Sequence, residues 1–238
     1  MATQPSTRST SQLSAFGSEV TAARLGRLLA ANGFPPEDEW LNAESVSFCH
    51  DWQGKNQDPQ RTTEVSILWS ADEIYLRFRC RYRTIHVFPD AEPNGRRDEL
   101  WDRDVAEIFL QPDRFGAKYY KEFEVSPNGQ WLDLDITPEG LSHITSGMRS
   151  TVKVSKDDGI WTADLAIPIE AITRTFDPLQ PWRVNFFRCE GVDPKRFYSA
   201  WQPTETTEPN FHVPQKFGWL RFGKSPMLRN AQVVPVGV

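Results

Sequence analysis

The sequence predicts an all-β protein: an antiparallel β-sandwich of the jelly-roll or immunoglobulin-like kind, with a short N-terminal helix. Hydrophobic and polar residues alternate one by one, with a period of two, over most of the chain after Trp40, which is the pattern of half-buried strands. Turn residues separate the alternating runs, and Asn128-Gly129 lies between two of them, a pair typical of a tight hairpin. Short strands at this spacing favour a sandwich or barrel over a parallel α/β sheet.

Residues 1–39 are predicted to be an N-terminal extension that is partly mobile. Its first 17 residues are rich in Ser and Thr and lack the apolar stretch of a standard secretory signal. Residues 18–31 fit a short helix outside the sandwich core, because Ser18 can cap it and Gly33 can end it. The apolar stripe of this helix would consist of Leu25, Leu28 and Leu29.

The sandwich is predicted to span residues 40–223, followed by a loosely ordered tail at 224–238. One helical turn is expected after Pro168, with Ile169 and Ile172 on its apolar face. Eight runs alternate clearly enough to be predicted as strands, and they cover residues 63–70, 74–83, 105–111, 118–126, 130–136, 148–155, 160–167 and 182–190.

Composition excludes several classes of function. The formal net charge of -5 argues against a nucleic-acid partner, and no apolar run is long enough for a membrane span. The three cysteines, at residues 49, 80 and 189, have neither disulfide-scaffold nor metal-ligand spacing. They are predicted to be free thiols, which favours a cytoplasmic location, although the sequence does not otherwise indicate a compartment. Nine Trp and 15 Phe indicate large aromatic surfaces in a core or a ligand site.

An ordered set of motifs carries a family resemblance. The motifs are Leu-Trp-Asp-Arg-Asp-Val-Ala-Glu-Ile-Phe-Leu-Gln-Pro-Asp at 100–113, Phe-Glu-Val-Ser-Pro-Asn-Gly at 123–129, Trp-Thr-Ala-Asp-Leu-Ala-Ile-Pro at 161–168, Trp-Arg-Val-Asn-Phe-Phe-Arg at 182–188 and Pro-Gln-Lys-Phe-Gly-Trp-Leu at 214–220. Over residues 40–222 this set resembles the family 9 carbohydrate-binding modules. The resemblance implies a β-sandwich that binds sugars without cleaving them, in carbohydrate catabolism.

The resemblance also implies a site in which two aromatic rings hold the terminal sugar. One ring is Trp101, six residues before Glu107 of the Glu-Ile-Phe motif. The second falls on Phe211, where the sugar-binding members have Trp. The Arg-x-Asn that those members use for sugar hydroxyls aligns with Glu124-Val-Ser, which is a further departure from the family pattern.

The residues themselves indicate the same region. Glu107 shares a strand face with Val105 and Phe109, where a carboxylate is costly unless it is paired or receives hydrogen bonds. Its partner is either a sugar hydroxyl or an arginine, Arg188 or Arg103. We expect the site between the loops at 88–102 and 202–216, which contribute Trp101 and Phe211, with Glu124, Asn210 and His212 as further contacts.

Two alternatives stay open. The first is an interaction domain that has lost or changed its sugar ligand. The second is a glycoside hydrolase, because Glu122 with Glu124, and Asp133 with Asp135, are period-2 pairs about 7 Å apart. Exposed acids at that spacing are common on any half-solvated sheet, and pairing with the alternating arginines explains them more simply. These arginines are Arg77, Arg79, Arg81 and Arg83.

The expected partner is therefore a carbohydrate, with no catalytic residue in this chain and any glycoside hydrolase acting in trans. No cofactor is predicted. Asp102, Asp104 and Asp113 offer hard oxygen ligands for structural calcium, which is a lesser alternative.

Overall fold

The computed structural model describes residues 18–90, 95–112 and 119–224. The segments predicted to be mobile at 1–17 and 225–238 lie outside the described residues. So do Asp113 and the predicted start of a strand at Lys118.

The described residues form thirteen strands and two short helices. The strands are β1 Glu19–Arg24, β2 Ser45–Phe48, β3 Thr63–Trp69, β4 Glu73–Arg81, β5 Val105–Gln111, β6 Tyr120–Val125, β7 Trp131–Thr137, β8 Gly140–His143, β9 Arg149–Ser155, β10 Ile160–Pro168, β11 Trp182–Glu190, β12 Phe197–Ala200 and β13 Gly218–Phe222. The helices are α1 Glu37–Trp40 and α2 Ile169–Ile172.

The strands form two sheets that share β1. The front sheet has the order β8-β7-β6-β5-β11-β13-β1, with β12 added to β11, and the back sheet has the order β1-β3-β4-β10-β9, with β2 added to β3. Residues 19–22 of β1 pair with β13, and residues 23 and 24 pair with β3, both in parallel. The other pairs of described strands are antiparallel.

The two sheets pack face to face around one apolar core. Alternate residues of both sheets point inward, so that Phe78 of the back sheet meets Phe186 of the front sheet edge-on at 6.3 Å between ring centroids. Fully burying such a side chain contributes about 1.5–3 kcal/mol. The predicted β-sandwich is confirmed.

Most of the local predictions hold. Each of the eight predicted runs contains a strand, with ends that differ by at most two residues, and α2 forms where the helical turn was expected. The hairpin at Asn128-Gly129 is present: the Ser126 N–H donates to the Gln130 carbonyl at 2.9 Å, and Gly129 takes φ +87°. That left-handed conformation favours glycine at this position.

The predicted N-terminal helix is wrong. Residues 19–24 form β1 inside the sheet, with Val20 and Ala22 fully buried, while Leu28 of the supposed apolar stripe is 99% exposed. The backbone N–H and carbonyl groups of this segment form their hydrogen bonds with β13 and β3, two strands that are distant in the sequence. Such long-range pairing overrides a weak local helix preference.

The expected pairing between the arginine series and the acidic pairs is also wrong. Within the described residues, the arginines of β4 and the following turn bind other acids: Arg77 binds Asp164, Arg79 binds Glu64 and Arg83 binds Asp58. The acids of β7 have their own partners: Asp133 binds Arg96, and Asp135 binds Lys121.

The structure also bears on two expectations from the sequence, which concern the cysteines and membrane-spanning segments. All three cysteines are free thiols, with Cys80 and Cys189 buried and Cys49 half-buried. Among the described helices, none has the length and apolar character needed to cross a membrane.

Candidate functional site

The outer face of the front sheet carries a second apolar cluster. Its centre is Phe109 of β5, which lies 4.8 Å from the ring of Phe187 and stacks on Tyr120 at 5.5 Å. The loops around residues 95–104 and 202–217 fold over this face. A sheet face that would otherwise be half solvated is thereby covered, and a cleft is left between the two loops.

That cleft is a cavity of about 450 Å³, within the usual size range of small-ligand pockets. It brings together five of the six predicted site residues. The described residues that line it are Trp101, Asp102, Arg103, Glu107, Phe109, Glu122, Leu134, Leu141, Cys189, Asp193, Arg196, Tyr198, Pro209, Asn210, Phe211 and His212.

Trp101 lies on one wall, in a single 3₁₀ turn at Leu100–Asp102. Glu99 precedes the turn with φ +56°, a left-handed conformation that is uncommon for a residue with a side chain. The guanidinium of Arg196 fixes the turn because it donates to the carbonyl oxygens of Trp101, Asp102 (2.7 Å) and Arg103 (3.0 Å). The half-buried indole ring is held at the rim of the cavity.

Phe211 lies on the other loop and is more buried than its polar sequence context suggested. It is only 9% exposed, stacks face to face on Phe187 at 4.2 Å with 13° between the ring planes, and meets Tyr198 edge-on at 6.3 Å. The polar sequence around it, Glu-Pro-Asn-Phe-His-Val at 208–213, predicts an exposed loop aromatic, and this prediction is wrong. Phe211 lines the cavity and at the same time anchors its loop to the sheet.

Asn210 and His212 flank Phe211 and are both exposed. The Asn210 Oδ1 accepts the His212 backbone N–H at 2.9 Å, which leaves the Asn210 amide group to donate elsewhere. His212 Nδ1 is hydrogen-bonded to the Tyr120 hydroxyl at 2.7 Å. Desolvation of the ring by its neighbours lowers the pKa of His212, which favours the neutral imidazole.

The floor of the cavity is acidic. Glu107 and Glu122 line it and are each 2% exposed, while Glu124 is fully buried, lies opposite Glu107 in the β5–β6 register and does not line the cavity. The Cys189 thiol donates to Glu107 Oε1 at 3.6 Å.

The alternative of a salt bridge to Glu107 is wrong. Arg188 binds Glu190 at 2.8 Å and packs over Trp161 between the sheets, and Arg103 donates to the Asp102 carbonyl. No ion pair of Glu107 occurs among the described residues.

Burial controls the protonation of these three carboxyl groups. Desolvation raises the pKa of Glu122 to about 7. It also raises the pKa values of Glu107 and Glu124 well above the ordinary range, and the neighbouring carboxyl groups add to both shifts. An isolated buried carboxylate is strongly disfavoured, so the floor holds protons at neutral pH.

The calcium alternative gains no support from the described aspartates. Both carboxylate oxygens of Asp104 already accept backbone N–H groups, from His86 at 3.0 Å and from Gly191 at 2.7 Å. In the described part of the chain, no group of three or more acidic, His or Cys side chains is arranged to hold a metal ion.

Several lining residues were missed by the sequence reasoning. Glu122 was interpreted as a solvated surface acid, and Cys189 as an ordinary core thiol. Arg196, Tyr198 and Leu141 were not singled out at all. These side chains come from β6, β8, β11, β12 and a loop, and they meet only because of strand order. No sequence spacing could have brought them together.

The family of the chain follows from comparison with known proteins. The family described as carbohydrate family 9 binding domain-like matches residues 34–224. The chain belongs to this family. The resemblance inferred from the ordered motifs is thereby confirmed.

Solved structures share the fold. A putative carbohydrate-binding protein from Bacteroides uniformis superposes with a TM-score of 0.70 at 16% identity, covering 87% of this chain and 100% of that one. A family 9 module from Caldicellulosiruptor kristjanssonii in complex with cellotriose gives 0.62 at 14% identity, covering 92% of this chain and 100% of the module. The same organism's module in complex with glucose gives a TM-score of 0.58 at 12% identity, covering 91% of this chain and 100% of the module.

Two curated relatives are more similar in sequence. One, described as an extracellular protein of Arthroderma benhamiae, is 22% identical over 184 residues, which is 70% of this chain and 81% of the relative. The other is the human UPF0462 protein C4orf33, 28% identical over 148 residues, which is 56% of this chain and 66% of the relative.

Proposed function

We propose that this protein binds a carbohydrate without cleaving it, in the cavity between Trp101 and Phe211. The cavity itself carries the proposal. It has an aromatic rim and a polar floor, and it lies on the outer face of the front sheet of a family 9 sandwich. Structures of the same fold in complex with cellotriose and with glucose support a sugar as the ligand. The proposal includes a role in carbohydrate catabolism, with any glycoside hydrolase acting from a separate chain.

The cavity matches the two-sided chemistry of a pyranose. The indole of Trp101 and the ring edge of Phe211 offer apolar surface for the C–H face of the sugar. The protonated carboxyl groups of Glu107 and Glu122 can both donate to and accept from hydroxyl groups, and the Asn210 amide adds a donor at the rim.

The same floor is poorly suited to glycoside hydrolysis. A glycosidase pairs one protonated carboxylic acid with one ionised carboxylate, and different environments set the two pKa values apart. Here burial raises the pKa values of both Glu107 and Glu122, so neither has the ordinary or lowered pKa that keeps the second group of such a pair ionised. We therefore assign these residues to binding.

The test is calorimetric titration with a panel that includes glucose, cellotriose and xylose-based oligosaccharides, together with a reducing-sugar release assay. We expect saturable binding of at least one sugar and no release of reducing ends. Absence of binding across the panel by a folded protein would reject the sugar proposal and favour the interaction-domain alternative. Release of sugar that stops in Glu107→Gln or Glu122→Gln would reject the non-catalytic part.

A further inference from the structure

A second cavity adjoins the first on the side of β8. The first cavity is the one between Trp101 and Phe211. The second has a volume of about 480 Å³, and Trp101 and Leu141 line both cavities. The two are therefore neighbouring parts of one groove over the outer face of the front sheet. Asp98 and His143 line the second cavity and not the first.

The accessible apolar surface of the second cavity comes from two side chains. Trp101 is half-buried, and Leu141 is 52% exposed on β8, a strand at the edge of the sheet whose four residues are all exposed. Leu132 and Leu134 also line this cavity, but they are at most 1% exposed and support the surface without reaching a ligand. A single exposed leucine is ordinary on a protein surface. A leucine that shares a groove with an indole ring offers a place for the C–H face of a sugar.

The polar groups of the second cavity are the side chains of His143 and Asp98, which are both exposed. His143 Nδ1 lies 2.7 Å from a guanidinium nitrogen of Arg96, and Asp98 Oδ1 lies 3.4 Å from the same Nδ1. A guanidinium only donates, so Nδ1 accepts, and in the neutral ring Nε2 carries the hydrogen. The cavity therefore presents an N–H donor beside a carboxylate acceptor, and a sugar hydroxyl can bond to either.

Arg96 fixes the position of the His143 ring. Its guanidinium forms an ion pair with the carboxylate of Asp133 and donates to the carbonyl oxygens of Asp133 at 2.8 Å and Ile144 at 2.9 Å. It also packs over the ring of Trp131 at 5.6 Å. The His143 donor is thereby tied to β7 before any ligand arrives, and a group that is already ordered costs less to use in binding.

We propose that the second cavity is a further sugar subsite, which holds the neighbouring unit of an oligosaccharide whose first unit lies between Trp101 and Phe211. Leu141 packs against the ring of this neighbouring unit, and His143 and Asp98 hydrogen-bond its hydroxyl groups. The inference rests on the proposed sugar-binding function and narrows its ligand class from single sugars to sugar chains. A chain is the expected occupant because the two cavities meet at Trp101, so two linked units can contact the same indole ring.

The experiment is isothermal titration of the full chain with glucose and cellotriose, and with xylose and xylotriose, together with a thermal melt of each variant. We expect the trisaccharide of at least one pair to bind about tenfold more tightly than its monosaccharide, which corresponds to about 1.4 kcal/mol. Asp98→Ala and His143→Ala should each reduce this ratio by several-fold and leave the affinity for the monosaccharide unchanged, because neither side chain lines the first cavity. Asp157→Ala is the control, since it removes an exposed aspartate from the turn between β9 and β10, and it should leave both affinities unchanged.

The outcomes separate this inference from the proposed function. If the monosaccharide and the trisaccharide bind equally, or if the ratio survives both Asp98→Ala and His143→Ala, the second cavity is not a subsite and sugar binding in the first cavity stands. Equal losses of affinity for both sugars in the folded variants also overturn the inference, because these residues would then act on the first cavity. If no sugar binds, the proposed function fails and the inference fails with it.

Discussion

The placement of β1 inside the sandwich can be tested with one pair of substitutions. Val20 is fully buried in the core between the sheets. Val20→Ala removes two methyl groups, worth about 0.8 kcal/mol each in transfer free energy, and the residual cavity brings the expected loss in unfolding free energy to about 2–3 kcal/mol. For a chain of this size, that loss lowers the melting temperature by about 4–12 °C.

Leu28→Ala is the matched control, because Leu28 is 99% exposed. Its melting temperature should equal that of the wild type. Thermal melts followed by circular dichroism measure both variants under identical conditions. If Leu28→Ala destabilises the protein as much as Val20→Ala does, or if Val20→Ala has no effect, residues 19–24 are not a core strand and the reasoning is refuted.

Three further predictions concern buried side chains. Phe211→Ala should lower unfolding free energy by about 3–5 kcal/mol in urea titrations, because its ring is stacked on Phe187; a stability equal to wild type would mean that the loop is not anchored there. Burial raises the pKa of Glu122 to about 7 in the folded state. The contribution of the protonated Glu122 side chain to the free energy of unfolding is therefore fully present below the pKa of the unfolded state, and it is lost as the pH rises through 7. In urea melts, Glu122→Gln should therefore become more stable relative to the wild type as the pH rises from 5 to 8. A difference in unfolding free energy that stays constant over this range would contradict the raised pKa of Glu122. Glu190→Gln should cost about 3–5 kcal/mol in the same assay, because the buried guanidinium of Arg188 loses the negative charge that lies 2.8 Å away. A loss below 1 kcal/mol would contradict this.

The alternation of side chains explains why most of the sandwich was predictable. In strands such as β5 and β11, apolar residues at every second position follow directly from the two faces of a sheet. The Asn128-Gly129 turn likewise needs only local information, because its backbone conformation selects glycine.

The failures have a common physical cause, which is that burial depends on distant parts of the chain. The segment at 19–24 carries only two inward residues, Val20 and Ala22. Its strand pattern is therefore weaker than the helical spacing of the leucines that follow it in the sequence. Glu122 and Glu124 alternate as exposed acids would, yet the loops fold over their face of the sheet. Neither the covering loops nor the strand order can be obtained from the spacing of residues.

Part of the candidate site could be located from the sequence. Trp101 and Glu107 lie within one motif, and Phe211 lies at a fixed distance before another, so the family pattern indicates both walls of the cavity. The acidic floor and the Arg196 contacts that hold the Trp101 turn come from strands and loops far apart in the chain, and the structure was needed to find them.

Our central proposal is that a sugar binds at Trp101, over the outer face of the front sheet. The most direct measurement is calorimetric titration of wild type, Trp101→Ala and Trp219→Ala with the tightest-binding sugar of the panel, with a thermal melt of each protein. Trp219 is also half-buried, but it packs under Arg183 outside the cavity. We expect Trp101→Ala to stay folded and to lose roughly 1–3 kcal/mol of binding free energy, and we expect Trp219→Ala to bind as the wild type does. Full affinity in Trp101→Ala, or equal losses in both variants, would contradict it.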